Sequence, residues 1–167
     1  MDVMKAIEER RSIRKYRSTP VEPEKLKKVA EAFRLAPSAR NGQSWKLLIV
    51  QDQAVKDKMR EASPGKAEMI SQAPVVLAGI CSTQDVMSNG HRVDSIDVSI
   101  GLSFAMLEAQ ELGLGTCWVC YYTEPEMKAA LGLSDDMSVV SIMLLGYADE
   151  EPEARPRKPV GDVVQYI

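Results

Sequence analysis

Apolar positions change their period along the chain, and each change marks an element. Leu26, Val29, Ala30 and Phe33 recur at three- and four-residue spacing among charged residues. This predicts an amphipathic helix that opens at Pro23, a favoured first position. Pro37 closes it, because a residue before proline avoids helical angles. Upstream, Asp2 is placed to cap a short helix through about Arg10, with Val3, Met4 and Ile7 on its inner face. Ser12 to Tyr16 reads as extended. Trp45 to Val50 reads as a strand, and Asp52 caps another short helix. After Pro74 the run Val75-Val76-Leu77-Ala78-Gly79-Ile80 is continuously apolar, as in a strand covered on both faces. Residues 82–94 are polar and contain Asn89-Gly90, which predicts a mobile loop or a lid.

The longest helix is expected from Asp94 or Ser95 to about Leu112. Apolar residues lie nearly all round it, as in a helix buried on several sides. Gly101 would admit the close approach of another backbone, including one from a second subunit. Gly113 and Gly115 punctuate its end. Thr116 to Tyr122 reads as a third strand. Thr123-Glu124-Pro125-Glu126 has the form of a capping box, opening a helix that stops at Gly132. Ser138 to Tyr147 reads as a fourth strand. Asp149 to Pro159 is rich in proline and charge, and Val163 to Ile167 are strand formers with no partner nearby in sequence. Such an arm can wrap a neighbour and add a strand to its sheet. The expected class is α+β or a mixed α/β sandwich, in one domain spanning 1–167 with residues 148–167 as the arm.

The chain has 167 residues, 45% hydrophobic and 27% charged, enough for a real core without staples. A net charge of −3 argues against general nucleic-acid binding. No apolar run is long enough to span a bilayer, and Met1 to Lys5 carry no signal core. Three cysteines, an odd number, make a disulfide framework unexpected, so a reducing, cytoplasmic setting is expected.

Against that net charge, the run Arg10-Arg11-Ser12-Ile13-Arg14 and the distant Arg155-Pro156-Arg157 stand out. A guanidinium is a planar fork of donors that fits phosphate oxygens in pairs. Brought together, the two clusters would make a phosphate clamp without a glycine-rich loop; apart, they are ordinary solvated helix ends. The stretch Ala36-Pro37-Ser38-Ala39-Arg40-Asn41-Gly42-Gln43-Ser44-Trp45 packs amides, hydroxyls and small residues between a helix and a strand. It can present donors to a flat heteroaromatic ring, or it can be a simple turn. Cys117-Trp118-Val119-Cys120 spells C-x-x-C and raises a thiol-disulfide alternative. In an extended strand its two sulfurs would point to opposite faces, which favours packing over dithiol chemistry. His91 reads as a solvated loop histidine that can also steer substrate. Glu150 and Glu151 read as solvated charges.

Taken together, and in this order, these pieces resemble the FMN-dependent nitroreductase family. They are Arg-Arg-Ser-Ile-Arg, Ala-Pro-Ser-Ala-x-Asn-x-Gln-x-Trp, Ala73-Pro74 before the buried strand, and Asp97 in the long helix running into Leu112-Gly113-Leu114-Gly115-Thr116. Leu145-Gly146-Tyr147 and the final Arg-Pro-Arg-Lys-Pro complete the series. The resemblance implies a three-layer sandwich with a central, mostly antiparallel sheet and a C-terminal strand exchanged in a homodimer. It implies FMN at the subunit interface, with Arg10, Arg11, Ser12 and Arg14 on the phosphate, ribityl chain and N1/C2 edge. Arg155 and Arg157 would close on the phosphate. Pro37, Ser38, Ala39, Asn41 and Gln43 would form a loop that the partner subunit lays against the ring. The backbone of Cys120 and Tyr121 would face flavin N5. NADH or NADPH would supply hydride, in a ping-pong sequence, to a small electron-poor acceptor such as a nitroaromatic or a quinone. No side chain is required as nucleophile. The chain departs from the family at Ser44, where proline is common, and in lacking most of a helical insertion; Lys66 matches a further flavin contact only loosely. A non-enzymatic flavin-binding protein is the third alternative.

Overall fold

The continuous apolar run after Pro74 forms the middle of a sheet. In the computed structural model, which describes residues 2–82 and 85–167, β2 (Val75–Cys81) is buried at every position. It lies between β1 (Trp45–Val50) and β4 (Ser138–Gly146), and β3 (Gly115–Val119) pairs with the far side of β4. The order is β1-β2-β4-β3 and every ladder is antiparallel. A register shift between Gly79 and Ile80 interrupts the β2–β4 pairing.

Side chains along a strand alternate between faces, so a sheet covered on both sides divides its apolar residues between two cores. Val76, Ala78, Ile80, Ile142 and Leu144 join Met59, Ile70 and Met127 on one face. Those last three come from α3 (Gln53–Glu61), α4 (Ala67–Gln72) and α6 (Glu124–Leu131). Val75, Leu77, Met143 and Leu145 join Val29, Phe33, Val98, Leu102 and Ala105 on the other. Those helical residues belong to α2 (Pro23–Leu35) and α5 (Val93–Glu111). The result is the expected three-layer α+β sandwich.

Several expectations are corrected. Gly101 does not receive a second backbone: a Cβ there would sit 2.7 Å from the Phe33 ring, so the close approach is α2 against α5 within the chain. α1 (Val3–Glu9) is capped by Asp2 as expected, but buries only Ala6. Val3, Met4 and Ile7 are exposed. The third strand ends at Val119, leaving Cys120 and Tyr121 beyond it. Residues 163–167 form no strand within the chain; a short 3-10 turn, Val160–Asp162, precedes an exposed end. The Thr123 side chain makes no cap to its helix; its N–H donates to the Ala62 carbonyl at 3.0 Å.

Candidate functional site

The N-terminal arginine run is stitched along the free edge of the sheet. Ser12 bridges Thr116 in parallel, and the N–H of Ile13 donates to the Thr116 carbonyl at 2.8 Å. Gly115 makes this approach possible, since a Cβ there would lie 2.6 Å from Ile13. Three residues on, Tyr16 is buried, bridges Ala148 and donates its hydroxyl to the Ile13 carbonyl at 2.6 Å. The N–H of Asp149 donates to the Lys15 carbonyl at 3.0 Å. The chain leaving β4 is therefore tied to the segment that carries the first arginines.

That tie brings the two basic clusters together. Arg10, Arg11, Ser12, Arg14, Arg155 and Arg157 line one cavity of about 380 Å³, with Ile7, Glu8, Pro152 and Glu153. Among the described residues none of the five guanidiniums is paired with a carboxylate. Arg11 donates to the Glu8 carbonyl at 2.7 Å, Arg14 to the Ser12 carbonyl at 3.1 Å and Arg157 to the Arg155 carbonyl at 3.1 Å. Glu150, expected to be a solvated charge, instead accepts the N–H groups of Arg14 and Lys15, at 2.5 and 3.2 Å. It pins the two clusters in register, and with Glu150 136 positions from Arg14 no local pattern could announce it.

Further along the sheet edge, Cys117 is buried, and burial pushes its thiol pKa up while Arg14 and Lys66 pull it down. Cys120 lies four residues beyond Thr116, about 13 Å along an extended chain. Its Sγ accepts from the Trp118 indole at 3.2 Å and lies 3.4 Å from Ser141 Oγ. Ser63 Oγ donates to the Tyr121 carbonyl, and the exposed Tyr121 ring packs on Gly65. The two thiols are not bonded to each other, and neither lies at a helix N-terminus. A raised pKa disfavours thiolate at Cys117, so the geometry does not favour the thiol-disulfide alternative. His91 is exposed, with its N–H on Asn89 Oδ1 at 3.1 Å.

The second motif lies elsewhere. Among the described residues that line the arginine cavity, Pro37, Ser38, Ala39, Asn41 and Gln43 do not figure; Gln43 lines a shallow hollow with Phe33, Arg34 and Trp45. The turn is anchored to α5, where both Asp97 oxygens accept the Ala39 N–H at 3.0 and 3.1 Å. Arg40, Asn41 and Gln43 have φ of 53°, 55° and 48°. Left-handed backbone costs a side-chain-bearing residue roughly 1–2 kcal/mol, and Asn tolerates it best. At the other end of α5, Gln110 lines a hollow with Arg11 and Ile13. Asp97 and Gln110 are thirteen residues apart, about 20 Å along a helix.

Comparison with known proteins bears directly on this arrangement. The sequence model of the Nitroreductase family matches residues 7–67 and 61–147. The chain belongs to the nitroreductase family. It is 30% identical to an NADH dehydrogenase of Thermus thermophilus, over 98% of this chain and 95% of that one. It is 31% identical to an FMN reductase [NAD(P)H] of Bacillus subtilis, over 95% of this chain and 70% of that one. A crystal structure of a nitroreductase family protein from Clostridium difficile 630 superposes with a TM-score of 0.89, at 30% identity over 99% and 98% of the two chains.

The donor set at the sheet edge fits the phosphate of such a protein's flavin nucleotide. Five guanidiniums with no carboxylate partner among the described residues line a cavity with one hydroxyl, against two carboxylates from Glu8 and Glu153, a net-positive lining suited to a dianionic ligand. Asp97 and Glu150 are the residues whose roles sequence reasoning did not reach. Asp97 stood in a matched segment without a task, and Glu150 sat in a charge run of ordinary appearance.

Proposed function

We propose that this chain is an FMN-dependent oxidoreductase that takes hydride from NADH or NADPH and delivers it to a small electron-poor acceptor. The observation that carries the reading is the convergence of arginines from both ends of the chain on one cavity at the edge of the sheet. When bound, FMN would supply the redox chemistry, accepting hydride at N5 and passing it on.

The chain's own groups bind, orient and tune. Arg10, Arg11, Arg155 and Arg157 with Ser12 would hold the phosphate, each charge-assisted bond contributing roughly 1.5–3 kcal/mol. Arg14 lines the same cavity, and its charge acts on Cys117; it would set positive charge beside the N1/C2 edge, which favours the electron-rich state of the ring. Lys66, whose charge also acts on Cys117, would reinforce it. The backbone of Cys120 and Tyr121 would direct a donor at N5, fixed in place by the bonds of Ser63 and Trp118.

The working unit would be a homodimer. In one chain the arginine cavity and the Pro37–Gln43 turn adjoin opposite ends of α5, so one ring cannot meet both. A second copy set head to tail along α5 would bring its turn to this chain's cavity. Val3, Leu35 and Phe104 are exposed on the lining of an apolar hollow that such a copy would cover. Among the described residues no helix is long and apolar enough to cross a membrane.

Purified protein should be yellow, and an Arg10→Ala plus Arg157→Ala variant should lose FMN. Anaerobic NADH or NADPH should bleach the visible band, and an added quinone should restore it. Parallel double-reciprocal lines would support alternate use of one place by donor and acceptor. Full FMN affinity in the double variant defeats the clamp, and bound FMN that neither nucleotide reduces points to a flavin carrier instead.

A further inference from the structure

We propose that Asp97 is a positioning residue, whose buried carboxylate holds the Ser38–Gln43 turn in the shape that meets a neighbouring subunit's flavin. The inference rests on the flavoprotein reading above. Three observations carry it. Asp97 is 4% exposed, yet the hydrogen bonds recorded for its carboxylate come from one donor, the Ala39 N–H. Among the described residues that bond is the only one from residues 38–43 to another element. The rest are internal: Asn41 N–H to the Ser38 carbonyl, Gly42 N–H to the Ala39 carbonyl, Gln43 N–H to Ser38 Oγ, and Gln43 Nε2 to the Asn41 carbonyl. And the turn keeps Arg40, Asn41 and Gln43 left-handed, a conformation that persists only where the surroundings over-determine it.

The scaffold behind Asp97 is rigid. The next residue of α5, Val98, packs against the sheet at Gly79, and one turn along Gly101 meets the Phe33 ring. A carboxylate fixed there transmits the position of the helix to the backbone of the turn. A buried aspartate is a costly way to satisfy a single N–H, and in a purely structural role a neutral acceptor such as an amide or a hydroxyl would serve with less desolvation. Its use here fits a turn whose backbone must stay in one place.

Four proteins test this: wild type, Asp97→Ala, Asp97→Asn and Ala39→Pro. The proline removes the donor from the other side of the contact; Ser38 is already extended (φ −136°, ψ 157°), as a residue before proline must be. The first readout needs no flavin. Trypsin cleavage after Arg40 should quicken at least tenfold in Asp97→Ala and Ala39→Pro, and by less in Asp97→Asn, whose amide oxygen still accepts. The second readout is the visible spectrum of bound FMN together with kcat and KM for NADH. The Ala and Pro variants should shift the spectrum and lower kcat about tenfold, with FMN affinity changed by less than fivefold because the arginine clamp is intact. Asp97→Asn should recover most of kcat. Unchanged cleavage and spectrum in both Asp97→Ala and Ala39→Pro, or an Asn variant no better than Ala, overturns the inference. Should wild type bind no FMN, the flavoprotein reading fails and this inference with it; a wild type that binds FMN beside indifferent variants leaves that reading standing and sinks this one.

Discussion

Arg157 has its guanidinium on the carbonyls of Arg155 and Pro156 and carries no carboxylate partner among the described residues. A cation held this way is available to an anion and gives up no ion pair to bind it. Arg157→Ala should weaken FMN binding by roughly 10- to 100-fold, the equivalent of about 1.5–3 kcal/mol. Binding of riboflavin, which lacks the phosphate, should be unchanged, and fluorescence titration of the two ligands separates the cases. Lys56 makes the opposite argument. It is 4% exposed and donates to the Ala73 carbonyl at 2.8 Å, and burial lowers its pKa. Between the folded value and about 10.4 the unfolded chain binds more protons, so stability gains from rising pH in that window. Urea melts at several pH values should show wild type gaining on Lys56→Met as pH climbs toward that limit. A difference independent of pH would mean that Lys56 titrates alike in both states.

Among elements, the sandwich was legible wherever one stretch of chain sets its own environment. Val75 to Ile80 had to be covered on both faces whatever lay beside it, and the 26, 29, 30, 33 spacing required one apolar neighbour. The identity of that neighbour was not local. Gly101 read as an opening for a second backbone, yet Phe33 fills it, and Phe33 is held in turn by Trp45 with ring centroids 5.2 Å apart. Gly101→Ala would gain helix propensity of about 1 kcal/mol but drive a methyl into a ring with little room to retreat. We expect a net loss of about 0.5–2 kcal/mol in thermal or urea melts, with subunit association unaffected. A variant as stable as wild type would show that Phe33 can repack. Cys120 and Tyr121 illustrate the other limit: an apolar, β-rich run does not say where its strand stops, and here the ladder with β4 ends at Val119–Ile142.

At the scale of the molecule, the candidate site was legible in its parts but not in its closure. The two arginine clusters could be named from sequence, whereas their meeting depends on Glu150, Tyr16 and the Ser12–Thr116 bridge. The same holds for the end of the chain. Val160, Val163, Val164, Tyr166 and Ile167 are exposed, with no ladder in their own chain. Five large apolar residues in water after an arm anchored at Asp149 are costly unless a second copy covers them. Removing residues 160–167 should therefore leave the sandwich intact, because neither core includes them. It should weaken self-association, and FMN affinity should then fall on dilution of the protein, since part of each flavin site would come from the other chain. Sedimentation equilibrium and FMN titration at several protein concentrations measure both. Were the shortened chain to associate as tightly as the full one and bind FMN equally at every concentration, the exposed tail would have another purpose and the exchanged arm would be wrong.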